Sequence, residues 1–200
     1  MGLRKGLLQY AGTFVFLVLL MTGFNAFSHG TQDLYPTFLQ KDHGFSAQLT
    51  GGIAILYNVG AIAGGMVFGS LSEKIGRKWA IILAALLALP VIPLYALSHS
   101  VWLLAGGAFV MQFMVQGAWG VVPAYLTELS PAPVRATAPG LAYQLGALVT
   151  SWNGKGQALA AERWGSYRAV LALTVLIVAL SLAVLASLGR EAKGRDLSEA

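Results

Sequence analysis

Residues 169–189 read AVLALTVLIVALSLAVLASLG, and the run contains no Asp, Glu, Lys or Arg. A helix needs about 20 mostly apolar residues to cross the hydrocarbon of a bilayer, so this stretch is long enough to span one. Further charge-free runs cover 6–32, 43–72, 79–127 and 136–154. The longest, 79–127, has room for two crossings, and Ser98-His99-Ser100 divides it just after Pro90 and Pro93. The expected spans are therefore 8–32, 49–70, 79–97, 101–126, 137–158 and 168–189.

Composition leads to the same class. Of 200 residues, 56% are hydrophobic and 10% charged, whereas soluble domains carry roughly 25% charged residues. Such a chain cannot cover itself with a water-facing surface, and its mean hydropathy is +0.68. The net charge of +5 does not indicate nucleic-acid binding, because the 13 Lys and Arg are scattered without a basic stripe. With no Cys there are no disulfides, thiolate metal sites or Cys nucleophiles. The expected fold is an all-α integral membrane bundle of six transmembrane helices in contact with the lipid bilayer.

An even number of spans puts both termini on one side, together with the loops near 71–78 and 127–136. That side holds Arg4, Lys5, Lys74, Arg77, Lys78, Arg135, Arg190, Lys193 and Arg195, against Lys41, Lys155, Arg163 and Arg168 on the other. The excess of basic residues places both termini in the cytoplasm, in a multi-pass protein of the plasma or inner membrane. The first span reads as a retained helix, because its apolar part is too long for a signal peptide and no A-x-A-like site follows. Gly60 and Gly64, like Gly65 and Gly69, have the small-xxx-small spacing of closely packed membrane helices. Trp102, Trp119, Trp152 and Trp164 fall mostly near predicted span ends, where interfacial anchors belong.

Polar groups at membrane depth are costly and tend to be functional. The segment Asn25-Ala-Phe-Ser28-His29-Gly-Thr31-Gln32-Asp33-Leu-Tyr-Pro36-Thr37 is the densest case. On a continuous helix Asn25, His29 and Asp33 fall at i, i+4 and i+8, with Ser28 and Gln32 beside them, giving one polar stripe. Asp33 can hold His29 as a charged pair or accept its N–H, and an unperturbed imidazole titrates near pH 6.5, so the pair suits proton exchange. The bland alternative is a solvated cap at the outer end of the helix. Pro36 lacks an N–H and is expected to end or kink the helix.

Every fixed position of this segment fits the pattern Asn-x-x-Ser/Thr-His-x-Ser/Thr-Gln-Asp-x-x-x-Thr, which resembles the signature of the lactate/pyruvate–proton symporters. These belong to the sialate:proton symporter family of the major facilitator superfamily. A second stretch, Gly69-Ser-Leu-Ser-Glu73-Lys74-Ile-Gly76-Arg77-Lys78, is similar to the superfamily loop Gly-x-Leu-Ala/Ser-Asp-Arg-x-Gly-Arg-Arg/Lys, with Glu73 where Asp is usual. Glycines at the tight points of such a loop would let Glu73 sit against a neighbouring helix N-terminus and Arg77 bridge to a carboxylate. A third, running from Pro123 through Glu128 and Pro131 to Arg135, resembles the loop between the superfamily's tenth and eleventh helices. Glu128 and Arg135 are the expected partners of the charges at 73–78, in a latch that would favour one access state.

The resemblance covers essentially the whole chain but only half of such a transporter, helices seven to twelve of twelve. It implies alternating-access symport of a proton and a small carboxylate, with His29 and Asp33 coupling protonation to affinity. Asn25, Ser28, Thr31, Gln32, Thr37 and Gln144 would line the substrate path, Gln144 because these symporters use a Gln in the equivalent helix. Gly69, Glu73, Lys74, Gly76, Arg77, Lys78, Glu128 and Arg135 would form the cytoplasmic gating loops. No metal or other cofactor is implied, nor an enzyme. No Lys or Arg lies deep in any span, and the family's basic substrate residue belongs to the N-terminal six-helix half, which is expected in the same or a partner chain. Three rivals remain: sialic acid or another organic acid as substrate, a non-transporting membrane subunit, and an intramembrane hydrolase, for which no nucleophile-elbow Ser accompanies His29 and Asp33.

Overall fold

The computed structural model describes residues 10–194, so Arg4, Lys5 and Arg195 of the topology tally lie outside the described residues. Helix α1 (Ala11–Gln32) is followed after a two-residue bend by α2 (Tyr35–Lys41), and together they form one 31-residue apolar span. Then come α3 (Ala47–Ile75), α4 (Arg77–Ala88, extended through tighter and wider turns to Leu97), α5 (Val101–Leu129), α6 (Ala138–Thr150), α7 (Asn153–Trp164) and α8 (Tyr167–Leu188). Among the described residues five helices are long and apolar enough to cross a membrane: α1–α2, α3, α4 with its extension, α5 and α8.

One sequence expectation holds here and one changes. The first helix was expected to stop or kink at Pro36. It does end just before it: α1 stops at Gln32, Asp33 and Leu34 form a bend, and Pro36 sits in the first turn of α2. There its missing N–H costs nothing, because first-turn donors have no partner within a helix. Because the chain resumes as α2, Ser28 lies within a turn of the middle of the Ala11–Lys41 span. The change is at 137–158, where a single helix was expected and two occur, α6 and α7, separated by a turn at Ser151-Trp152. The second of them carries Lys155, Glu162 and Arg163.

The packing follows from small residues. α3 lies along α5, and the glycines decide how closely. A Cβ at Gly60 would come within 2.5 Å of the Phe109 carbonyl oxygen, and one at Gly64 would strike that of Phe113. α5 reciprocates, with Gly120 against the Gly65 carbonyl and Gly117 under the Phe68 ring. Backbone-to-backbone approach is the means by which membrane helices gain dispersion energy where no hydrophobic drive exists between them. α1 runs between α6 and α8 and also touches α5, while α4 lies between α5 and α8. Buried Phe24, Phe27, Met21, Tyr95, Met111 and Val115 fill the space between them. The outward surface is apolar instead: Ile55, Val59, Ile62 and Met66 form an exposed stripe on α3, as do Leu173, Ile177, Leu180 and Val184 on α8.

Candidate functional site

The polar stripe of α1 meets α5 in an antiparallel ladder. Near the outer rung the Tyr35 hydroxyl donates to the Leu104 carbonyl at 2.9 Å. One rung down, Gln32 Nε2 donates to Gln112 Oε1 at 2.9 Å, and Gln112 Nε2 donates to Thr31 Oγ1 at 3.1 Å. The next rung pairs Gln116 Nε2 with Ser28 Oγ at 3.2 Å, and Ser28 Oγ also accepts from Gln32 Nε2 at 3.2 Å. The ring of Phe24 then packs on Trp119. Gln112 and Gln116 straddle the middle of α5, and these two amides, one turn apart, face two hydroxyls and a third amide in the last turns of α1. Two further donors fix the α1 backbone here, Tyr95 hydroxyl to the Thr31 carbonyl and Gln157 Nε2 to the Gly30 carbonyl at 2.9 Å.

His29 and Asp33 occupy the adjoining row. His29 Nδ1 and Asp33 Oδ1 are 3.2 Å apart, and the two side chains are 52% and 40% exposed. The carboxylate also faces α7, where a Cβ on Gly154 would lie 3.3 Å from Asp33 Oδ2. Geometry therefore allows a proton on His29 to be held by Asp33, while the imidazole remains accessible.

The other stripe residues differ in what they offer. Asn25 is buried and donates Nδ2 to the Met21 carbonyl of its own helix at 2.8 Å. Thr31 is buried, donating back to the Phe27 and Ser28 carbonyls. Thr37 lies in α2, beyond the bend and apart from the ladder. Gln144, expected to line the substrate path, stands on the exposed side of α6, flanked by exposed Tyr143 and Leu145. The opposite side of that turn is taken by Gly146, pressed against the Met21 backbone of α1.

At the basic end of the bundle the charges form a closed knot. Arg77 Nε and Nη2 both bond Glu128, at 3.0–3.2 Å, while Nη1 reaches Ser72 Oγ and Glu73, each at 2.7 Å. The Arg77 and Glu128 side chains are only 9% and 13% exposed, so this is a buried pair and not a surface one. Glu73 was expected at a neighbouring helix N-terminus. That place belongs to Glu191, whose carboxylate accepts from the backbone N–H groups of Arg77 and Lys78 at 2.9 and 3.2 Å. An acidic side chain there satisfies orphan donors and the positive end of the helix dipole.

The C-terminal ends are capped in return. Lys78 Nζ donates to the Ser187 and Gly189 carbonyls at the end of α8, and Lys193 Nζ to the Lys74 carbonyl at the end of α3. Gly76 turns the corner with φ +103°, and a Cβ there would strike the Glu191 carboxylate. Gly69 lies on the α3 face toward α5, its Cβ direction 3.6 Å from the Gly120 carbonyl oxygen. Arg135 joins the same end, donating Nε to the Ser130 carbonyl at 3.3 Å.

The sequence reading missed Gln112, Gln116 and Glu191. The two amides stand i, i+4 on a helix otherwise apolar over that stretch, which is a stripe signal like that of Asn25 and His29. Glu191 had no such signal, because its role comes from a partner more than a hundred residues away.

Residues 10–191 match the family model described as sugar (and other) transporter. Among similar proteins, a carboxylic acid transporter protein homolog of Saccharomyces cerevisiae is 36% identical over 75% of this chain and 24% of its own length. A candidate metabolite transport protein of Haemophilus influenzae is 30% identical over 90% of this chain and 44% of its own length. Myo-inositol transporter 2 of Cryptococcus neoformans is 35% identical over 41% of this chain and 15% of its own length. The chain thus spans less than half the length of these relatives. They are transporters and not enzymes. The helical bundle, the glycine-packed α3–α5 pair, the charge knot and the family match agree: the chain belongs to the sugar (and other) transporter family and forms one half of a major facilitator bundle.

Proposed function

We propose that this chain is the C-terminal half of a proton-coupled symporter for a small carboxylate such as lactate or pyruvate, working by alternating access. The observation that carries the reading is the His29–Asp33 pair, 3.2 Å apart and accessible, in the row next to a hydroxyl–amide ladder that meets the middle of α5. The complete match of the 25–37 segment to the lactate/pyruvate pattern supports it, as does the likeness to a carboxylic acid transporter homolog.

In this mechanism an imidazolium at His29, stabilised by Asp33, attracts the anion. Loss of the proton on the opposite side of the membrane lowers affinity and releases it. Gln144, on the exposed side of α6, would contact the carboxylate from the facing half, and Asn25, Thr31 and Thr37 would shape the path. The N-terminal half supplies a fixed cation, since among the described residues none sits deep in a span. The charge knot acts as the cytoplasmic latch, with both termini on that side of a plasma or inner membrane.

The test is uptake of labelled lactate against external pH by this chain together with an N-terminal six-helix half. Asp33→Asn should abolish the stimulation of uptake by acid while sparing exchange of one substrate molecule for another, and His29→Ala should do the same. Identical pH profiles for the wild type and both variants would sink the coupling role.

A second reading is favoured by a specific feature: the ladder of Ser28, Thr31, Gln32, Gln112 and Gln116 is electrically neutral, as a polyhydroxylated substrate would want. Competition of lactate uptake by inositol or hexoses, stronger than by other monocarboxylates, would support it.

A further inference from the structure

Gln112 and Gln116 stand one turn apart on α5 but are committed to different degrees. Gln112 is 2% exposed and both ends of its amide are engaged, Oε1 by Gln32 and Nε2 by Thr31. Gln116 is only partly buried, and among the described residues its side-chain bond is the one from Nε2 to Ser28 Oγ at 3.2 Å. A primary amide has two N–H hydrogens and an acceptor oxygen. Gln116 therefore keeps one donor and one acceptor. Ser28 Oγ already accepts from Gln32 and Gln116, which fills its lone pairs and leaves its own O–H to donate. Next to this neutral corner, in the adjoining row of α1, stands His29, with Nδ1 tied to Asp33 and about half of its side chain exposed. Residues i and i+1 of a helix point about 100° apart. The two rows therefore address different atoms of a ligand and not the same one.

We propose that Gln116 is a specificity-determining substrate contact: with Ser28 it reads the oxygen on the second carbon of a 2-hydroxy or 2-oxo acid, while His29 takes the carboxylate. The spare amide N–H and the Ser28 O–H donate to either a keto or a hydroxyl oxygen, and the amide Oε1 accepts from the hydroxyl. Gln112 is the positioning residue, since its doubly bonded amide fixes Gln32 and Thr31 and so the rung on which Ser28 sits. The assignment rests on the carboxylate reading above and adds the part of the substrate that this corner recognises.

The experiment compares lactate with propionate, which has the same carboxylate and carbon skeleton without the 2-oxygen, as substrates of this chain together with its N-terminal half. Gln116→Leu should raise KM for lactate roughly five- to ten-fold, the worth of one hydrogen bond, with propionate unchanged. Gln116→Asn, which keeps an amide, should restore part of the preference. A variant that weakens both acids equally, or leaves their ratio at the wild-type value, overturns the proposal. Asp33→Asn is run alongside. If its pH profile changes while the lactate-to-propionate ratio ignores Gln116, only the specificity role falls. If neither responds, the carboxylate reading falls with it.

Discussion

At the basic end Arg77 is closely engaged, its guanidinium shared among Glu128, Glu73 and Ser72 and its backbone N–H given to Glu191. At the C-terminal end of α1, His29 and Asp33 hold each other, with roughly half of each side chain open. Both regions are built from ionisable groups in an apolar bundle, yet one is closed and the other keeps free valences. A closed knot has two well-defined conditions, made and broken, which is what a latch between access states requires. An open pair can take up a proton or an anion without dismantling the fold. The difference separates a gate from a site better than residue type does.

The largest effect should come from opening the knot. Removing one partner of a buried pair strands the other charge, a loss of about 3–5 kcal/mol. Arg77→Ala should therefore lower thermal stability in detergent sharply as well as reduce flux, and Glu128→Gln should follow it. A melting temperature within a degree or two of the wild type would show that the knot is solvated and idle.

The ladder should rank next. Gln112→Leu leaves Thr31 and Gln32 without their cross-helix partner at depth, worth about 1–3 kcal/mol. Its unfolding transition should move by less than that of Arg77→Ala and by more than that of any variant at the exposed pair. Equal shifts at Gln112 and Gln116 would erase the distinction drawn between a positioning amide and a contact amide.

The open pair should barely register in stability. Exposed ion pairs are worth about 0–1 kcal/mol, so Asp33→Asn should leave melting almost unchanged while altering the pH dependence of uptake. A large stability loss would place His29–Asp33 in the same class as the knot and remove the contrast.

The smallest expected effect lies at the other end. There His43 packs on Phe38, Phe45 and His99, and Arg168 bonds His99 at 3.1 Å. Desolvation first, then the charges of Arg168 and His99, hold the His43 imidazole below its ordinary range, and neighbouring Asp42 offsets them in part. A His depressed in the folded state resists protonation, so its neutral form stabilises the protein above about pH 6.5 and that contribution is lost as pH falls below it. The wild type should therefore lose slightly more stability than His43→Gln between pH 7.5 and 5.5. The reverse order would contradict the sign.

Much of this was legible beforehand because it is local. The spans followed from charge-free runs, the α3 glycine face from its spacing, and the Arg77–Glu128 contact from two charged loops expected at one end. The polar stripe was found by its period, and the break before Pro36 by that residue's missing N–H. What stayed hidden is that the chain resumes as α2, so that α1 and α2 share one 31-residue apolar span. That Gln144 stands on the exposed side of α6 was not legible, because the side of a helix that a neighbour covers is set by packing.

The sequence by itself determined that this chain is a helical membrane bundle with a polar stripe on its first helix and charges at its loops. Those properties depend on composition and on periods of a few residues, which any helix in lipid must obey. Only the tertiary structure decided that Gln112 and Gln116 face Thr31 and Ser28, that Glu191 and not Glu73 caps α4, and that 137–158 breaks into two helices. Each of these depends on groups far apart in the chain meeting within hydrogen-bond or van der Waals reach, and no local period encodes that distance.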